Sequence, residues 1–314
     1  MRYAVLIVNY LCADHTRNAV RSVIANALDD AFGIVVVDNS PGRGAHESVG
    51  KINHGRVHVV DADTNLGFGA ANNLAARFAQ GRWRPEYFVI MNPDIEIEQP
   101  GTVERLLETI AEDTSAVGAQ PLVWNLRIPG PPSSQAQVRN VPTYADLLIC
   151  ESIVLRFIFT SAFRRYTLSD KMPYSEVTPF EVPSGAFFVI SAAAFLSIDG
   201  FDEAMFLYGE EYVIGKKVHD LGKRFVLNPN LRVRHDQGAS TGFEYQSARW
   251  DMYRHRISST LYYCTHYLST SRTKCVLLLC CMVVGYGFRF VYQACRLRFL
   301  RRRVTTGSLR DIPE

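Results

Sequence analysis

Apolar residues run along this chain in two rhythms. Short unbroken runs at 3–10 (YAVLIVNY), 33–40 (GIVVVDNS), 57–62 (VHVVDA) and 87–94 (YFVIMNPD) read as strands buried on both faces. Between them the spacing turns helical, as at Ala19, Val20, Val23, Ile24 and Ala27, in a Gly-rich turn and helix over 65–80, and over 101–112. Residues 116–123 are strand-like again. This alternation predicts an α/β fold with a mostly parallel central sheet flanked by helices. Ligands of such sheets bind beyond the carboxyl ends of the strands. Asn9, Asp38-Asn39 and Asn92-Pro93-Asp94 all lie there, so the polar residues converge on one edge.

Beyond the Pro/Gly/Ser loop at 129–134 the pattern loosens. An apolar stretch at 144–163 reads as helix, and 179–195 as a strand followed by a turn and helix. A helix within 201–222 stops at Gly222, and 223–240 gives two short strands around Asn-Pro-Asn, the second ending near His235.

Composition narrows the class. With 314 residues, 47% hydrophobic, and a net charge of only +3, the chain can bury a real core and is not disordered. Its seven cysteines include no C-x-x-C pair, which argues against a disulfide framework or zinc site and for buried thiols in a reducing compartment. Ala4–Val8 is too short for the apolar region of a signal peptide. Charge is unevenly placed. From Met252 to Arg310 there are eleven Lys/Arg and no acid, so the tail from 252 onward carries +9 and residues 1–251 carry −6. Such a tail is suited to an anionic partner.

Each candidate site has two readings when taken alone. Asn92-Pro93-Asp94 has turn chemistry, but Asp94 is equally a carboxylate held at a strand end for Mg²⁺ or Mn²⁺ beside a diphosphate. Gly67-Phe-Gly69 follows the third strand without G-x-G-x-x-G spacing, which excludes a dinucleotide fingerprint. It is a helix start needing small residues, or the lining of a nucleotide pocket. Glu210-Glu211 suit a helix N-terminus through its dipole. His235 alone is a histidine near a strand end.

Together these pieces resemble something specific. Val8-Asn9-Tyr10, Val37-Asp38-Asn39-Ser40, Asn65 to Asn72, Asn92-Pro93-Asp94, Ser184-Gly185-Ala186, Gly200-Phe-Asp-Glu203, Phe206 to Glu211 and His235-x-x-Gly238 occur in the order of the family 2 glycosyltransferases with the GT-A fold. The nearest branch is the rhamnosyltransferase-like enzymes of bacterial surface polysaccharide synthesis. The resemblance covers about 3–266 and extends to a basic-aromatic helix at 253–267.

That resemblance implies an inverting, metal-dependent transferase. Asn9, Asp38, Asn39, Asn65, Gly67, Asn72, Asn92, Ser184 and Gly185 would line the nucleotide-sugar site. The family's D-x-D appears as Asn-Pro-Asp, which makes Asp94 a ligand for Mn²⁺ or Mg²⁺, with His235 matching the late histidine of the metal or diphosphate site. The family base falls on Glu211, a glutamate where the family has aspartate, with Glu210 orienting the acceptor; the family's further acid is Val213 here. The donor expected is dTDP-rhamnose, then a UDP-hexose, and the acceptor a polyprenyl-linked or growing polysaccharide at the cytoplasmic face of the bacterial inner membrane. The alternative is a catalytically silent, membrane-docked module binding sugar nucleotides or glycans.

The expected divisions are a catalytic domain over 1–245, a basic-aromatic helix over 246–270 packed on it, and a membrane-associating tail over 271–314. Cys275 to Phe288 is fourteen residues without charge, short of the roughly 20 a spanning helix needs. It reads as a core helix closing the domain, as a spanning segment, or, preferred, as an interfacial or partly inserted helix flanked by Arg289, Arg296, Arg298 and Arg301–Arg303 on the membrane surface. Its basic residues flank an apolar run and carry no recognition motif, which argues against nucleic acid.

Overall fold

The computed structural model describes residues 1–305 apart from 41, 43, 53, 129, 136 and 237–249, and side chains as far as 288. Nine strands are present among them: β1 Tyr3–Asn9, β2 Phe32–Asp38, β3 Val57–Asp61, β4 Tyr87–Met91, β5 Ile95–Ile97, β6 Ala116–Asn125, β7 Thr178–Phe180, β8 Phe187–Ser191 and β9 Arg224–His235. The helices are α1 Ala13–Asn26, α2 Gly44–Val49, α3 Phe68–Trp83, α4 Thr102–Ala111, α5 Tyr144–Glu151, α6 Ile153–Ile158, α7 Thr160–Thr167, α8 Ala192–Ser197, α9 Glu210–Asp220, α10 Trp250–His266 and α11 Arg272–Thr305.

All nine strands join one sheet in the order β3-β2-β1-β4-β8-β6-β9-β5, with β7 also on β9. The first half is parallel as expected: β1 pairs in parallel with β2 and β4, and β2 with β3. The second half departs from the expectation. β8 runs antiparallel to β4 and β6, and β9 antiparallel to β5 and β7, with β6–β9 the one parallel pair there. The sheet is therefore mixed. The physical reason is that a strand buried on both faces shows a continuous apolar run whichever way it points.

One face is covered by α1, α2 and α4, through Val20 and Val23, Ala45 and Val49, and Leu106 and Ile110. The other is covered by α3, α8 and α9, through Ala71, Ala75 and Ala79, Phe195, and Ile214 and Val218. The alanines of α3 let it lie close to the strands. A third cluster joins Leu147 of α5, Val213 of α9, Tyr253 and Tyr263 of α10, and Leu278 and Met282 of α11.

Two further expectations are corrected. The stretch 144–163 is three short helices, because Ser152 is extended (φ −99°, ψ 118°) and caps α6 by accepting from Leu155 N at 3.2 Å. Residues 224–235 form one strand, in which Pro229, Asn230 and Leu231 bulge between the pairs Pro121↔Asn228 and Leu122↔Arg232.

The apolar run at 275–288 lies in α11, and no helix among the described residues is long and apolar enough to cross a membrane. Leu278 and Met282 pack into the third cluster, so part of the run closes the domain. Val276, Leu277, Val283, Val284 and Phe288 on the same helix are exposed. The side chains from Arg289 onward, Gly238, and the boundary expected at 245 lie outside the described residues.

Candidate active site

The β1, β2 and α3 ends form one hydrogen-bonded unit. Asn9 donates through Nδ2 to Asp38 Oδ1 at 2.9 Å and Ser40 Oγ at 3.0 Å, and accepts from Thr16 Oγ1 at 2.7 Å. Asp38 also accepts from the Ser40 and Ala45 amides, the latter at 2.7 Å at the start of α2. Asn39 donates to Asn65 Oδ1 at 2.8 Å and to the Gly67 carbonyl, and accepts from Leu66 N at 2.8 Å. Asn9, Asp38, Asn39 and Ser40 are buried and spent on one another, with the exposed Asn65 tied to them through Asn39, so they hold the rim in shape. Asn72 donates to Phe68 O within α3, and its buried Oδ1 has no hydrogen-bond partner among the described residues.

Gly67 connects this unit to the acidic motif. Its φ is +81°, and a Cβ there would lie 2.3 Å from Phe206 O, the carbonyl that accepts from Phe68 N at 3.0 Å. The strand of motif residues after it turns at Gly209 (φ +88°) into α9, whose first residues are Glu210 and Glu211. Asn73, not singled out by the sequence, ties α3 to the same region by bonding both Phe201 N and O and the Glu203 carboxylate.

On the other side, β4 ends opposite β8, and Asn92 N donates to Ala186 O at 2.8 Å. Ser184 N is held at 2.8 Å by Gln120 Oε1, a fully buried glutamine that sequence reasoning missed. The resulting turn brings Gly185 against Glu211: a Cβ at 185 would lie 2.3 Å from Glu211 Oε1. The register Ile95↔His235 then sets Asp94 beside His235, with Oδ1 and Nε2 3.3 Å apart and both residues buried. Asn92, Asp94, Ser184, Gly185, Glu211 and His235 are thus brought to one end of the sheet.

Glu210 is 2% exposed and its Oε1 has no hydrogen-bond partner among the described residues. Burial, then the charge of neighbouring Glu211, pushes its carboxyl well above the ordinary carboxylate range. A buried and a half-buried acidic side chain therefore stand side by side at the start of α9. Val213, at the position of the family's further acid, is fully buried in the third cluster and offers no charge.

One carboxylate oxygen and one imidazole nitrogen at a strand end make a fitting partial donor set for Mn²⁺ or Mg²⁺. Such ions commonly complete their shells with phosphate oxygens and water. No group of three or more His, Cys, Asp or Glu with metal-holding geometry occurs among the described residues. A cation here would be shared with a ligand.

Residues 4–171 match the family described as Glycosyl transferase family 2. The N-acetylglucosaminyl-diphospho-decaprenol L-rhamnosyltransferase of Mycobacterium tuberculosis is 24% identical over 245 residues, 76% of this chain and 77% of that one. Rhamnosyltransferase WbbL of Escherichia coli is 23% identical over 172 residues, 54% of this chain and 60% of WbbL. Mannosyltransferase PcManGT from Pyrobaculum calidifontis, solved with GDP-Man and Mn²⁺, shares the fold with a TM-score of 0.54 at 14% identity, over 98% of this chain and 76% of that one.

Proposed function

As the chain belongs to glycosyltransferase family 2, we propose that it transfers a sugar, with inversion, from a nucleoside diphosphate to a lipid-linked or growing surface glycan. dTDP-rhamnose is the first donor expected and a UDP-hexose the second. The observation that carries this reading is the seat of Glu211 against Gly185, at the sheet end that also holds Asp94 and His235.

Glu211 acts as the base. It takes the proton of the acceptor hydroxyl as that oxygen bonds to the anomeric carbon, while the bond from that carbon to the donor phosphate breaks and the nucleoside diphosphate leaves. Glu210, neutral in its buried site, can donate a hydrogen bond to the acceptor or to Glu211. Asp94 and His235 would hold Mn²⁺ or Mg²⁺. When bound, the ion would offset charge on the leaving diphosphate. The rim built from Asn9, Asp38, Asn39, Asn65, Gly67 and Asn72 would frame the nucleoside, with Asn92, Ser184 and Gly185 nearer the sugar.

The M. tuberculosis relative is named for a diphospho-decaprenol substrate. By analogy this enzyme works peripherally at the cytoplasmic face of the membrane, with the exposed apolar residues of α11 toward the lipid. A thermal-shift screen of nucleotide sugars with Mn²⁺ and with EDTA tests the reading. A dTDP- or UDP-sugar should stabilise the wild type only with metal, and should fail with Asp94→Ala. Stabilisation by no nucleotide sugar would overturn it.

A further inference from the structure

Two arginines gather around Tyr212, the residue after Glu211: Arg139, which no motif singled out, and Arg256 of the basic-aromatic helix. Arg139 follows the Gln137 segment and pairs its backbone with Val182, two residues before Ser184. Its guanidinium donates to Tyr212 Oη at 3.2 Å and lies 5.7 Å from the Tyr212 ring centre. The Tyr166 hydroxyl and the Glu211 carboxylate are also within its electrostatic reach, yet among the described residues it forms no ion pair with a carboxylate. Arg256 of α10 faces the same Tyr212 and the charge of Arg139, and is anchored by the buried Glu151 at the end of α5. Both guanidinium groups are within electrostatic reach of Tyr212, and their planar forks match phosphate oxygens.

Immediately after Glu151 the chain exposes an apolar run. Ile153, Val154, Phe157, Ile158 and Phe159 of α6 and its end are all exposed, Phe157 by 81%. Glu211 is thus within electrostatic reach of Arg139, Arg139 and Arg256 share Tyr212, and Arg256 is tied through Glu151 to the start of the apolar helix.

We propose that Arg139 and Arg256 seat the diphosphate of a prenyl-diphosphate-linked acceptor, and that α6 receives the first part of its prenyl chain. This rests on the lipid-linked acceptor proposed above and assigns it a place. The diphosphate, held beside Tyr212, fixes the distance from the lipid to the sugar hydroxyl that faces Glu211. An acceptor without the diphosphate would lose this register.

Farnesyl diphosphate is the probe, titrated by calorimetry into the full chain. The wild type should bind it at least tenfold more tightly than farnesol or inorganic pyrophosphate. Arg139→Gln should weaken it roughly tenfold, as expected for losing a charge-assisted contact, and Arg139→Lys should recover part of the loss. Arg139 is the variant to use, because Arg256→Gln would also break the ion pair with the buried Glu151. Equal binding of farnesyl diphosphate to wild type and Arg139→Gln would overturn the proposal. So would inorganic pyrophosphate binding as tightly as the lipid, which would mark a free-phosphate site. UDP and dTDP titrated into the same samples separate the two failures. Nucleotide binding that survives alongside an unaltered lipid affinity removes this inference alone, whereas its absence in the wild type removes the glycosyltransferase mechanism.

Discussion

Gly185 keeps open the space that the Glu211 carboxylate fills, since a Cβ at 185 would stand 2.3 Å from Glu211 Oε1. The clash is with the far end of a side chain, and Gly185 does not have a left-handed backbone. Gly185→Ala should therefore fold with little loss of Tm while turning the carboxylate away from its seat. Misplacing a reacting group by an ångström costs on the order of 100-fold in rate. The expected result is kcat down about that much, with nucleotide affinity kept, measured by transfer assay and calorimetry. Unchanged kcat would mean that the carboxylate position is immaterial.

If Glu211 is the base, Glu211→Gln should lower transfer by roughly 100- to 10,000-fold and leave donor binding intact. Glu211→Asp keeps the carboxylate but shortens its reach, and should fall between the two. Transfer by Glu211→Gln within a few-fold of wild type would remove the base assignment and favour the silent binding module.

The raised Glu210 carboxyl has a consequence for stability. Burial comes first among its causes and the charge of Glu211 second. A group whose folded pKa lies above its unfolded value of 4.5 contributes stability that is fully present below that value and is lost as pH rises toward the folded one. Each unit of that interval removes about 1.4 kcal/mol. Glu210→Gln keeps the neutral shape, so its Tm relative to wild type should climb as pH rises above 4.5. A pH-independent difference would show that Glu210 does not hold its proton.

What was legible in the sequence is tied to what each signal measures. Apolar runs located seven of the nine strands, all but the short β5 and β7, and the polar ends of β1, β2 and β4 lie at one edge of the sheet. Strand direction was not legible, because β8 (Phe187–Ser191) is as evenly apolar as β1. Asp94 and His235 were named through their motifs, but their 3.3 Å approach needed the β5–β9 register, which joins segments about 140 residues apart. Arg139 and Gln120 carried no local signal at all. Their importance comes from contacts with Tyr212 and Ser184 across the fold.

The Gly200-Phe-Asp-Glu203 motif yields the last prediction. Tyr267 Oη donates to Asp202 Oδ2 at 2.6 Å and Tyr262 Oη at 3.0 Å, joining the end of α10 to the catalytic body. Burial alone would raise the Asp202 pKa, but these hydroxyls and the Ala204 amide outweigh it and hold the carboxyl below its ordinary value of 3.8. A carboxyl lowered on folding contributes stability that is present above its unfolded pKa and is lost as pH falls through the folded one. Tyr267→Phe removes a hydrogen bond to a charged, partly exposed acceptor, worth about 1 kcal/mol after solvent screening. The variant should melt a few degrees below wild type near neutral pH, and the gap should narrow as the pH falls below about 4. A gap that stays constant down to that pH would show that the loss does not come from the charge on Asp202, since phenylalanine keeps the ring that stacks on Tyr263 at 5.8 Å.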